Sequence, residues 1–193
     1  MGVSRRDVLL GGGFFGAGLF TAAVSTPGLQ RLTSLWFRIA NNPATLTNTE
    51  VDVSALLPGQ VMGTLWRNLP IYIWRRTDQM LEELANRTSE VRFPEPVEGL
   101  QPSDAANQFR SVDPHVFVVS GICSRAGCPL IAFEPHQSDL LPGGGFLCTN
   151  DRSRFDAAGR VYPESAAPVD LLVPPHFYLD NNLLVIGESH RSA

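Results

Sequence analysis

The 193-residue sequence contains no lysine: all 15 basic residues are arginine, set against 19 acidic ones. The arginines form no stripe or long run, so the electrostatic footprint of a nucleic-acid partner is missing. Cysteine is scarce as well. Three are too few for a small disulfide scaffold, and the odd number leaves at least one thiol outside any bridge within the chain. There is no internal repeat and no nucleotide-binding glycine loop. "LPGGGF" (141–146) leads into a strand-like segment and not a helix, which argues against a phosphate cradle. What is present is a hydrophobic content of 44%, enough for a real core, with 15 prolines and 17 glycines. That combination predicts one loop-rich, mainly β domain with an appendage.

The appendage is N-terminal. Ser4, Arg5 and Arg6 precede Val8–Val24, 17 residues without a charge. This fits a twin-arginine export signal, with Val8 where many such signals carry Phe. As helix the run spans roughly 26 Å, just short of a ~30 Å hydrocarbon core, and it can continue past Pro27 toward Ala40 with a kink. No clear cleavage site follows, so residues 1–40 are expected to remain as an anchor; a cleaved signal is the alternative. Arg5 and Arg6 place that end in the cytoplasm and the rest outside. The expected location is the bacterial inner membrane, single-pass, with the head in the periplasm. Glycines 11, 12, 13, 16 and 18 suit close packing against other membrane helices. Residues 41–50 read as a polar tether to a head over 51–188.

Within the head, residues 50–60 alternate and read as a strand. Residues 61–66 and 71–76 read as a hairpin about "RNLP". Thr77-Asp78 caps a short helix over 79–86, with Met80, Leu81 and Leu84 on one face. Residues 88–114 form a proline-rich excursion. The continuous apolar run 115–121 reads as a buried strand. "LIAF" and "GFLC" are short strands, and 171–188 holds two more around an Asp180-Asn-Asn turn.

Two segments carry the chemistry: "GICSRAGCPL" (121–130) and "GGGFLCTNDRSRFDAAGR" (143–160), with cysteines at 123, 128 and 148. With "VDVSALLPGQ", "IYIWRRT", "HVFVVSG" and "LLVPPHF" in the same order, they resemble the Rieske iron–sulfur proteins. The resemblance is to the anchored subunit of cytochrome bc complexes in particular. That family carries C-T-H-x-G-C in one loop and C-x-C-H-G-S in the other. The resemblance implies an antiparallel β-sandwich head with a small two-loop subdomain at about 121–168, behind a transmembrane helix. It also implies a disulfide between Cys128 and Cys148, worth roughly 3 kcal/mol in the chain-entropy picture. A Rieske centre needs two thiolates on one iron and two imidazoles on the other. Cys123 matches the first thiolate position. The other three ligand positions hold Arg125, Asn150 and Asp151. Arginine has no lone pair to give, an amide is a weak donor, and a carboxylate is hard and anionic.

The expectation is therefore no cofactor, no metal site and no catalytic residue, although the family holds a 2Fe–2S cluster. Rescue by displaced ligands would have to draw on His115, His136, His176 and His190. Arg125 and Asp151 are opposite in sign, so a salt bridge between the loops is one reading and simple surface drift the other. Cys123 reads as a buried inert thiol or as one activated by Arg125. Ser153 is retained from the site frame, while Phe155 stands where the family has Tyr, and Arg152 where it has Gly. The leading expectation is a Rieske-type subunit of a quinol–cytochrome c reductase with a structural, assembly or regulatory role. Its expected partners are cytochrome b and cytochrome c subunits, the lipid bilayer and a functional Rieske paralogue. The alternatives are a working electron carrier that oxidises quinol and an exported binding module unrelated to respiration.

Overall fold

Nine short strands among the described residues form three antiparallel sheets of three strands each. The structure is a computed structural model that describes residues 48–188. The expected anchor over 1–40, the twin arginines, the first seven tether residues and His190 lie outside the described residues. Among the described residues, no helix is long and apolar enough to cross a membrane.

The first sheet joins β1 (Thr49–Asp52), β9 (Leu183–Ile186) and β8 (His176–Tyr178). The second joins β2 (Val61–Trp66), β3 (Leu69–Arg75) and β4 (Val116–Ser120). The third joins β5 (Leu130–Phe133), β6 (Gly145–Cys148) and β7 (Arg154–Asp156). Thr49, counted with the tether from sequence, already belongs to β1. The strand expected over 50–60 stops at Asp52, whose Oδ1 accepts the Ser54 N–H at 2.8 Å and turns the chain.

The second sheet is the centre of the head, and a period of two explains it. Ile71, Ile73, Val116 and Val118 face one core, with Val51, Val53, Trp66, Leu184 and Ile186. Trp74, Phe117 and Val119 face the other, with Phe146, Phe155, Leu130 and Leu171. Strand β4 is buried on both faces, which is why "VFVVS" reads as an unbroken apolar run. The first sheet thus covers one face of the central sheet, while the loop subdomain covers the other.

Between β3 and β4 lies α1 (Asp78–Asn86), capped by Thr77, whose side chain accepts the Met80 N–H at 3.2 Å. Met80 and Leu84 enter the second core. The β2–β3 turn is tighter than "RNLP" suggested. Only Arg67 and Asn68 lie outside the strands, at φ 50° and 60°, as a two-residue type I′ hairpin requires.

The sequence reading missed three buried arginines: Arg76, Arg110 and Arg160, each about 1% exposed. All three grip the "DAAGR" turn, residues 156–160. Arg76 donates to the carbonyls of Pro114 (2.8 Å), Phe109 (3.0 Å) and Ala157 (3.3 Å). Arg110 donates to the carbonyls of Ala158 (3.1 Å), Gly159 (3.2 Å) and Leu171 (2.5 Å). Arg160 pairs with Asp156 at 2.7 Å and donates to the Leu84 carbonyl at 2.8 Å. Burial lowers the Arg76 pKa to about 9, so its charge persists at neutral pH. Guanidinium suits this role because its planar fork satisfies several carbonyls at once.

Candidate functional site

Both cysteine loops close in the same way. In the first, the Cys123 N–H donates to the Cys128 carbonyl at 2.8 Å and the Gly127 N–H to the Cys123 carbonyl at 3.0 Å. In the second, the Cys148 N–H donates to the Ser153 carbonyl at 2.9 Å and the Arg152 N–H to the Cys148 carbonyl at 3.2 Å. The loops 123–128 and 148–153 are therefore copies of one turn. The fifth residue of each is left-handed: Gly127 at φ 69° and Arg152 at φ 59°. A left-handed backbone is free for glycine and strained for arginine. The Thr149 N–H and hydroxyl both reach the Pro129 carbonyl, at 3.2 and 3.0 Å, and tie one loop to the other.

The strands beneath hold this geometry. The Gly145 backbone (φ 152°) passes so close to β7 that an added Cβ would lie 2.2 Å from the Phe155 carbonyl oxygen. The glycines of "LPGGGF" thus serve close packing of β6, in keeping with a strand and not a phosphate cradle. Above the loops, Ser124 Oγ donates to the Val169 carbonyl at 2.5 Å, and Ser153 Oγ accepts the Ala167 N–H at 2.9 Å. The segment 165–169 is pinned across both loops. Ser153 and Phe155 are fully buried, Phe155 opposite Phe146 in the sheet. Nothing in the sequence marked the role of Ser124, since serine is common in turns.

At the tip the loops bring together Cys123 Sγ, Cys148 Sγ and a carboxylate oxygen of Asp151, all within 4.8 Å of one another. The thiols are buried, at 1% and 0% exposure. Burial pushes the Cys123 thiol up to about 12, helped by the neighbouring Cys148 thiol and the Asp151 carboxylate; only the Arg125 N–H opposes. Cys123 is thus a protonated buried thiol and not a thiolate activated by Arg125. Burial also pushes the Asp151 carboxyl up, but hydrogen bonds from Ser153 and the Cys148 thiol, with the charge of Arg125, hold it below the usual range. Asp151 Oδ1 accepts the Ser153 N–H at 2.9 Å. Its Oδ2 stands 3.5 Å from Arg125 Nη1, so the opposite charges do meet across the loops. Arg125 is 53% exposed and the pair is worth no more than ~1 kcal/mol.

Asn150 is exposed and outside the group. All three cysteines are free thiols in this structure, and Cys128 is half-buried outside the donor group. The described histidines are absent from the group too. His115 lies 3.0 Å from Asp78, and buried His176 turns its Nδ1 to the Pro174 carbonyl at 2.8 Å. Two thiols and one carboxylate do not fit a two-iron centre held by two thiolates and two imidazoles.

No family model matches the chain. It is 36% identical, over 75% of its length and 71% of the relative's, to the ubiquinol–cytochrome c reductase iron–sulfur subunit of Allochromatium vinosum. It is 32% identical, over 95% and 94%, to the protein of the same name from Bradyrhizobium diazoefficiens. It is 34% identical to the mitochondrial Rieske subunit of the cytochrome b-c1 complex of Solanum tuberosum, over 74% and 48%. Among solved structures, a chain of a hyperthermophilic respiratory Complex III aligns at 21% identity and a TM-score of 0.41, over 82% and 90%. These relatives overturn the expectation that the chain is a protein without a cofactor. Those it matches over most of their length are named iron–sulfur subunits, and its own loops collect three metal-binding donors.

Proposed function

The chain belongs to the Rieske iron–sulfur subunits of ubiquinol–cytochrome c reductase, and from that membership we propose that it takes the Rieske position in a cytochrome bc-type complex. The observation that carries this reading is a match of 32% identity over 95% of this chain and 94% of an iron–sulfur subunit. The layering of the head supports it. The chain enters through β1, on one side of the central sheet, and the paired loops stand on the other. A head held at its first sheet would present the loop tip to its partners. Those partners are the other subunits of the complex: a b-type cytochrome beside the membrane segment and a c-type cytochrome facing the tip. Arg5 and Arg6 put the N-terminus in the cytoplasm and the head in the periplasm. The three arginines on the 156–160 turn support the same reading, because they make head and loop subdomain one rigid piece.

Affinity purification of the full chain from detergent-solubilised membranes tests this. Co-elution of b- and c-type haem is expected, and elution without haem would refute it. The finer assignment, an electron-carrying subunit as against one that serves assembly, is read from the same material. Deletion of the chain abolishes quinol–cytochrome c turnover under both, whereas Cys123→Ser abolishes it only under the first.

A further inference from the structure

The geometry points to one mononuclear metal site at the loop tip, in which Cys123 Sγ, Cys148 Sγ and the Asp151 carboxylate bind a single divalent ion of zinc's class. This deepens the reading of the same tip given above and rests on that reading for its place in the complex, but not for its donors. Four observations carry it. First, the three donor atoms already lie within 4.8 Å of one another. A tetrahedral zinc ion, at about 2.3 Å from sulfur and about 2.1 Å from oxygen, wants donors roughly 3.5–3.8 Å apart, so small side-chain rotations close the site.

Second, each donor stands on fixed backbone. Cys123 and Cys148 sit at the hydrogen-bonded closures of the twin loops, with N–H···O distances of 2.8 and 2.9 Å, and Asp151 is oriented by the Ser153 N–H at 2.9 Å. Third, the charges balance. Two thiolates and a carboxylate carry three negative charges, which a divalent ion and the Arg125 guanidinium, 3.5 Å from Asp151, offset. Arg125 then acts as the outer partner that orients a ligating carboxylate. Fourth, Cys148 lies with Cys123 and Asp151, while Cys128 stands outside the group. A bridge to Cys128 and a bond to the ion compete for the same sulfur. On binding, each thiol releases its proton to solvent and no electron moves. Sulfur donors select a borderline-soft ion over magnesium or calcium, and three protein donors leave the fourth position to water.

The test uses the full chain in detergent, reduced and stripped with a chelator, then titrated with Co²⁺ and afterwards Zn²⁺. One cobalt per chain is expected, with thiolate-to-cobalt charge transfer that zinc abolishes. Cys123→Ser and Cys148→Ser should each weaken binding by at least about 100-fold, Asp151→Asn by about 10–100-fold, and Cys128→Ser by less than about 3-fold. The wild-type chain gives a check that needs no variant to fold: excess zinc should raise its unfolding midpoint, and excess magnesium should not. The proposal is overturned if no ion binds, if Cys128→Ser costs as much as Cys148→Ser, or if the isolated chain holds two irons and two acid-labile sulfides. Each of those results leaves co-elution with haem standing, so failure here is distinct from failure of the proposed function.

Discussion

Replacing Arg152 by glycine should stabilise the protein, and the twin loops say by how much. Arg152 is solvent-exposed and holds φ 59°, the conformation its counterpart Gly127 holds at φ 69°. A left-handed residue with a Cβ costs roughly 1–2 kcal/mol. Glycine gives back about 0.4–1 kcal/mol through the greater freedom of the unfolded chain. The net expectation for Arg152→Gly is a gain of about 0.5–1 kcal/mol. The reciprocal change, Gly127→Ala, meets nothing within 4 Å of the added Cβ, so its cost is backbone strain alone. By the same balance it should lose about 0.5–1 kcal/mol. Urea unfolding of the reduced, metal-free protein reads both values, with an unchanged m-value as the control. Arg152→Gly coming out neutral or destabilising while Gly127→Ala loses the expected amount would refute the equivalence of the two loops.

Gly145→Ala should cost more than about 3 kcal/mol or prevent folding, because its Cβ would collide with backbone at 2.2 Å; a melt within a few degrees of wild type would contradict the close β6–β7 packing. A double-mutant cycle on Arg125 and Asp151 should give a coupling of at most ~1 kcal/mol that fades at high salt, and zero coupling at low salt would refute the bridge. Burial raises the Asp170 pKa from 3.8 to about 6. A carboxyl raised on folding contributes its stability below pH 4 and loses it as pH rises through 6. The wild type should therefore lose about 3 kcal/mol relative to Asp170→Asn between pH 4 and pH 7, and parallel stability profiles would contradict this. Asp156→Ala strips the buried Arg160 of its partner, 2.7 Å away, and should cost roughly 3–5 kcal/mol, against which a change below 1 kcal/mol would count.

Much of the head was legible in the sequence because burial leaves a period. The β2–β3 hairpin, the buried β4, "LIAF", "GFLC" and the α1 face with Met80 and Leu84 all follow from apolar spacing and turn residues. What stayed hidden rests on long-range contacts. Arg76, Arg110 and Arg160 look like surface charges until distant carbonyls converge on them. The early end of β1 depends on one local hydrogen bond from Ser54 to Asp52. At the tip, the motif spacing placed Cys123, Arg125, Asn150 and Asp151 on the two loops and left open whether the opposite charges of Arg125 and Asp151 would meet, as they do at 3.5 Å. It did not show that Cys148 would lie beside Cys123 and Asp151. That follows from the pairing of Cys148 with Leu130 and the closure of the second loop on Ser153, which spacing alone does not encode.

The measurement that bears most directly on the account is a reduced-minus-oxidised haem spectrum of the full chain affinity-purified from its own membranes. A Rieske-type subunit in its complex predicts b- and c-type haem bands in fixed ratio to the chain. A preparation with the intact chain and no haem would contradict it.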